Sequence, residues 1–144
     1  MIEQAASPAS RVLDGAKPFR VLAVDDDPAE FALLEDGFAH CGADVELLLA
    51  STGPLALAEL MLAGVAGKPH LALIDINMPM VSGFDLATEL IREGVPTILM
   101  SNHVDEKRTT HARKLGVLEL LAKPSDRTGY AAFAMNVMRI AGLH

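Results

Sequence analysis

Tryptophan is absent, tyrosine occurs once, and aromatic residues make up only 4% of the 144-residue chain. Stacking against nucleic-acid bases needs such rings, so that mode of binding is not expected. Positive charge is also scarce: 12 Lys and Arg face 19 Asp and Glu, for a net charge of −7. Binding through nucleic-acid phosphates needs clustered Lys and Arg, so nucleic acid is not an expected partner. A single cysteine, Cys41, rules out an internal disulfide framework and fits a reducing, cytoplasmic setting. The five histidines show no His–Cys spacing of a zinc site. No run reaches the ~20 apolar residues of a membrane span, and the opening MIEQAASPASRVLDGAKP has no apolar core of a secretory signal. Residues 1–17 read as a polar lead-in, and 18–144 as one domain.

What is present is apolar sequence in short, regular bursts. The chain is 51% hydrophobic, enough to bury a core. FRVLAV (19–24) is a branched, apolar run that stops at Asp25, Asp26, Asp27 and Pro28, which marks a buried strand and then a helix start. Asp27 suits the cap, Pro28 the first turn, and Glu30 the spacing of a capping box. Phe31, Leu34, Phe38 and Cys41 recur at helical spacing before Gly42. The pattern then repeats. Strands are expected at 44–50, 70–75, 95–100 and 117–122. Helices are expected from Pro54 to Leu62, Phe84 to Arg92, Asp105 to Leu115, and from Ser125 or Asp126 onward with Tyr130, Phe133, Val137 and Ile140 on one stripe. Five strands alternating with five helices form a parallel sheet covered on both faces. Right-handed crossovers leave few topologies, and the flavodoxin-like order 2-1-3-4-5 is the one expected.

In such a sheet, ligands bind beyond the carboxyl ends of the strands. Those ends deliver Asp25 and Asp26, then Asp75, Ser101 and Lys123, whereas strand two offers only Ser51 and Thr52. Three carboxylates in one pocket repel one another, and desolvation worsens the repulsion. Lys123 supplies one positive charge. A hard divalent cation supplies two more, and Mg2+ prefers oxygen ligands with several waters retained. Carboxylates plus a lone lysine therefore point to Mg2+ and a phosphoryl group.

VLAVDDDP, LIDINMPMVSG, ILMS and LLAKP, in that order, resemble the signature segments of response-regulator receiver domains, over roughly residues 19–142. The resemblance implies a phospho-acceptor at Asp75 and a directly metal-ligating carboxylate at Asp26, with Asp25 helping through water. It implies a metal-ligating backbone carbonyl at Asn77, a phosphoryl-binding hydroxyl at Ser101 and a phosphoryl-pairing ammonium at Lys123. Gly83 matches the loop glycine, where close chain approach or positive φ is expected. The implied donor is a histidine kinase or histidine phosphotransfer protein. The implied output is a protein target docking on the face of the fourth helix, fifth strand and fifth helix. The chain is then an acceptor that slowly dephosphorylates itself, not a turnover enzyme. No DNA-binding or catalytic segment follows the last helix, so a single-domain regulator is expected.

Three positions depart from the family. Leu120 stands where strand five usually carries the aromatic switch residue, Asn102 follows Ser101 in place of a small residue, and Ser125 follows the Lys-Pro pair in place of Phe. The usual ring readout is thus missing. Asn77 and His103 fall where the family flanks the path of the hydrolytic water, and with Asn102 they are the candidates for tuning phosphate lifetime. A rival reading is a receiver-like interaction module that works without phosphorylation. An aspartyl phosphatase is disfavoured, because Asp75-Ile76-Asn77 lacks the second Asp that would act as acid and base.

Overall fold

The protein is described by a computed structural model over residues 18–41, 44–64, 67–78 and 82–142. The expected lead-in (1–17) lies outside the described residues, as does Gly42. The chain alternates β1 (Phe19–Val24), α1 (Pro28–Ala39), β2 (Val45–Ala50), α2 (Gly53–Ala63), β3 (Leu71–Asp75), α3 (Gly83–Arg92), β4 (Thr97–Ser101), α4 (Glu106–Leu115), β5 (Glu119–Ala122) and α5 (Gly129–Ile140). All strand pairs are parallel, in the order β2-β1-β3-β4-β5. Among the described residues no helix is long and apolar enough to cross a membrane.

The apolar runs are continuous because both sheet faces are covered, and their period of two splits them between two cores. Leu22, Val24, Ala72, Ile74 and Leu99 pack with Ala56 and Leu60 of α2, Leu86 and Leu90 of α3, and Ala112 of α4. Val21, Ala23, Leu71, Leu73, Ile98 and Met100 face the other way, onto Leu34 and Phe38 of α1 and Tyr130, Phe133 and Val137 of α5. Each fully buried Leu or Ile contributes about 1.5–3 kcal/mol, so either layer holds the sheet firmly.

Side-chain caps start four of the helices: Asp27, Thr52, Ser82 and Asp105 each accept a first-turn N–H. β2 and β3 each start one residue later than the sequence reading, and β4 and β5 two residues later. Val95 donates its N–H to Leu90, which closes α3, and Pro96 has no N–H to give a ladder, so β4 begins at Thr97. Val117 likewise donates back to Ala112 past the left-handed Gly116, so β5 begins only at Glu119. The last helix also starts later than Ser125 or Asp126. The Asp126 carboxylate accepts from Thr128 and Gly129, making a turn that delays α5 to Gly129.

Candidate functional site

Strand register decides which side chains meet. Val24 pairs with Ile74, so Asp25 and Asp75 lie level on adjacent strands. Asp75 pairs with Met100, and Ser101 with Ala122, so Lys123 lies two positions beyond that level. By the alternation of the strands, Asp25, Asp75 and Lys123 share the face that carries α1 and α5. Ser101 continues the opposite face, with Leu99.

Asp25 and Asp75 are built alike. Asp25 is fully buried; its Oδ1 accepts the Asp27 N–H at 3.0 Å and its Oδ2 accepts from Lys123 Nζ at 2.9 Å. Asp75 is 3% exposed; its Oδ1 accepts the Asn77 N–H at 2.9 Å and its Oδ2 accepts from the same Nζ at 3.2 Å. Each carboxylate is thus fixed by the amide two residues on and shares one ammonium. Lys123 is held in turn by its N–H on the Ser101 carbonyl, 2.8 Å away. Asp26 is exposed, yet one oxygen each from Asp25, Asp26 and Asp75 can lie within 4.8 Å of one another. Three oxygen donors so close suit a hard divalent cation.

Electrostatics explain why that cluster wants a cation. Burial pushes the Asp25 carboxyl above its ordinary range, although the Lys123 hydrogen bond and the Asp27 amide pull it down. Burial alone would depress the Lys123 ammonium. The Asp25 hydrogen bond and the charges of Asp25, Asp75 and Glu30 outweigh it, and Lys123 is raised. Three carboxylates (Asp25, Glu30 and Asp75) therefore gather around one firmly protonated lysine, and Asp26 lies beside two of them.

Ser101 is fully buried at the end of β4, but it bonds sideways. Its hydroxyl accepts from the His103 N–H at 3.1 Å, and its one proton faces Asn77 Oδ1 at 3.0 Å and the His103 carbonyl at 2.8 Å. Asn77 and Asn102 are exposed. The His103 ring is exposed and lies 3.4 Å from Asp105, the cap of α4. Leu120 is buried among the apolar residues under α2, α3 and α4. At Gly83, close approach rather than positive φ is the constraint. An added Cβ would sit 2.5 Å from Ile76 Cα and 2.9 Å from the Asp75 carbonyl oxygen, so α3 starts directly on the end of β3.

Two residues of this neighbourhood were not singled out for the site by sequence. Glu30 was expected in a capping box, whereas it turns inward, 7% exposed, with Oε1 3.9 Å from Lys123 Nζ. Its Oε2 accepts from the Tyr130 hydroxyl at 2.6 Å. Tyr130 was expected simply as part of the apolar stripe of α5. The available signal was spacing: Glu30, Leu34, Gly37 and Phe38 form the inner face of α1 at i, i+4, i+7 and i+8.

This doubly wound domain with an acidic, lysine-centred rim matches known proteins. The family profile described as the response regulator receiver domain matches residues 21–132. The chain belongs to that family, and it is a receiver domain of the kind found in response regulators of two-component systems. It is 34% identical over 122 residues to the transcriptional regulatory protein AruR of Pseudomonas aeruginosa, covering 83% of this chain and 49% of that protein. It is 28% identical over 134 residues to a protein-glutamate methylesterase/protein-glutamine glutaminase of Vibrio vulnificus, covering 88% of this chain and 38% of the relative. The chain thus spans less than half the length of these curated relatives. Among solved structures, the phosphorylated cyanobacterial phytochrome response regulator RcpA aligns with TM-score 0.75 at 21% identity, covering 85% of this chain and 93% of that one. The Mn2+-bound form of response regulator Rcp1 aligns with TM-score 0.71 at 20% identity, covering 84% and 92%. The chemotaxis response regulator CheY4 of Vibrio cholerae aligns with TM-score 0.69 at 20% identity, covering 86% and 99%. At these identities the structural likeness shows the fold.

Proposed function

We propose that Asp75 accepts a phosphoryl group from a phosphohistidine on a partner protein, a histidine kinase or a histidine phosphotransfer protein. The observation that carries this reading is the Lys123 ammonium shared by the buried Asp25 and Asp75, with Asp26 completing three closely set carboxylate oxygens. An Asp75 oxygen forms the bond to phosphorus while the bond from phosphorus to the imidazole nitrogen breaks, and the imidazole leaves with the partner. The transition state is loose, so the site works mainly by placing groups and offsetting charge. Asp25, Asp26 and Asp75, with the Asn77 carbonyl, would hold Mg2+, which supplies positive charge against the acceptor and the incoming phosphoryl oxygens. Lys123 pairs with one phosphoryl oxygen as a point charge. The Ser101 hydroxyl, released from Asn77 and His103, turns to another. That release draws on the loop leading to α4, so the face of α4, β5 and α5 changes its docking properties toward a downstream protein.

The phosphate is then lost slowly to water, and Asn77 after β3, with Asn102 and His103 after β4, tunes that loss at the path of the water. The chain is an acceptor and a switch, working in the cytoplasm. Incubation with Mg2+ and a small phosphodonor should give one acid-stable, base-labile phosphoryl group per chain. Asp75→Asn should abolish the label. Full labelling of that variant would refute the assignment, and no labelling of the natural chain would favour the phosphorylation-independent interaction module.

A further inference from the structure

Glu30 and Tyr130 form a buried link between the lysine of the site and the last helix. The chain of contacts runs from Lys123 Nζ to Glu30 Oε1 at 3.9 Å, and from Glu30 Oε2 to the Tyr130 hydroxyl at 2.6 Å. Glu30 is 7% exposed and Tyr130 4% exposed, so water cannot readily replace either partner. Behind the link, α1 and α5 touch backbone to backbone: a Cβ on Gly37 would lie 2.5 Å from the Tyr130 carbonyl oxygen. A displacement of Tyr130 is therefore passed to the helices and not absorbed by side-chain slack. Leu120, in the opposite core, has no polar atom with which to sense the site.

We propose that Glu30 is a positioning residue for Lys123, and that its bond to Tyr130 transmits the occupancy of the phosphoryl pocket to α5. The inference rests on the phosphoryl-acceptor reading above. In the resting state the Lys123 charge offsets Glu30. When Lys123 turns toward a phosphoryl oxygen, Glu30 becomes a buried anion whose remaining strong partner is the Tyr130 hydroxyl. That hydrogen bond tightens and draws α5 against α1.

The two residues therefore act with opposite sign. Glu30→Gln removes the charge that holds Lys123 back, so a phosphoryl mimic should bind more tightly. Tyr130→Phe leaves Glu30 without its donor once Lys123 departs, so the mimic should bind more weakly. Each shift should be about fivefold or more, the ordinary range of coupling between sites. A merely structural role for the pair would move both variants the same way.

The test uses the full chain with Mg2+ and beryllofluoride. Bound fluoride is read by fluorine NMR, and folding of each variant is checked by circular dichroism. Tyr130 is the only tyrosine and tryptophan is absent, so intrinsic emission reports this one hydroxyl. Emission of the natural chain should change on saturation and the change should be largely lost in Glu30→Gln. Absence of fluoride binding in the natural chain would sink the phosphoryl reading, and the inference with it. Normal binding with unchanged tyrosine emission, or with both variants shifted in one direction, would overturn the link alone.

Discussion

Replacing Lys123 by Met keeps most of the side-chain volume and removes the charge. In the structure that ammonium lies 2.9 Å from Asp25, 3.2 Å from Asp75 and 3.9 Å from Glu30, and the lysine side chain is 8% exposed. Taking one partner from a buried ionic cluster leaves uncompensated charge and costs about 3–5 kcal/mol. Small domains hold only about 5–15 kcal/mol in total. Lys123→Met without divalent cation should therefore melt about 10–20 °C below the natural chain. Magnesium should reverse part of the loss. A ligand at a hundredfold excess over its Kd stabilises the folded state by about 2.7 kcal/mol. The increment should be larger in the variant, whose carboxylates no longer share their space with an ammonium. Urea unfolding with chelator and with Mg2+ measures all four states. Equal stability of the two proteins in chelator, or equal magnesium increments, would refute the charge argument.

Gly83→Ala places a Cβ where Ile76 Cα lies 2.5 Å away and the Asp75 carbonyl oxygen 2.9 Å away. Backbone must shift at the end of β3, costing about 1–3 kcal/mol. Phosphoryl labelling of Asp75 should slow in the same variant, and unchanged labelling with unchanged stability would contradict the close packing. Tyr130 offers a pH test. Burial, then the Glu30 bond and charge, push its phenol above the ordinary 10.0, so the folded state holds that proton more tightly than the unfolded chain. Its contribution to stability is complete below pH 10 and falls as pH rises toward the folded value. Absorbance at tyrosinate wavelengths should show ionisation of the folded protein well above the free phenol, and an ordinary titration would contradict the buried bond.

Much of the fold was legible because parallel strands buried on both faces must be continuous apolar runs. FRVLAV and LALID announce themselves, and the residue after or ending each run falls at the carboxyl rim. The starts of β4 and β5 were less legible. Val95 and Val117 look like strand residues, but their N–H groups close the preceding helices on Leu90 and Ala112. Apolar character marks what is buried and does not say which backbone partner a residue takes.

The site shows the same division. The kinds of residue at the strand ends, Asp25, Asp26, Asp75 and Lys123, are fixed by one-dimensional pattern, because side-chain alternation and strand ends are local properties. Tertiary structure alone decided that Ser101 faces away toward Asn77 and His103, and that Glu30 leaves its helix cap to meet Lys123 and Tyr130. Those outcomes depend on register between strands far apart in sequence and on two helices meeting at Gly37. No local rule carries that information, since a buried charge goes wherever the packed interior places its partner.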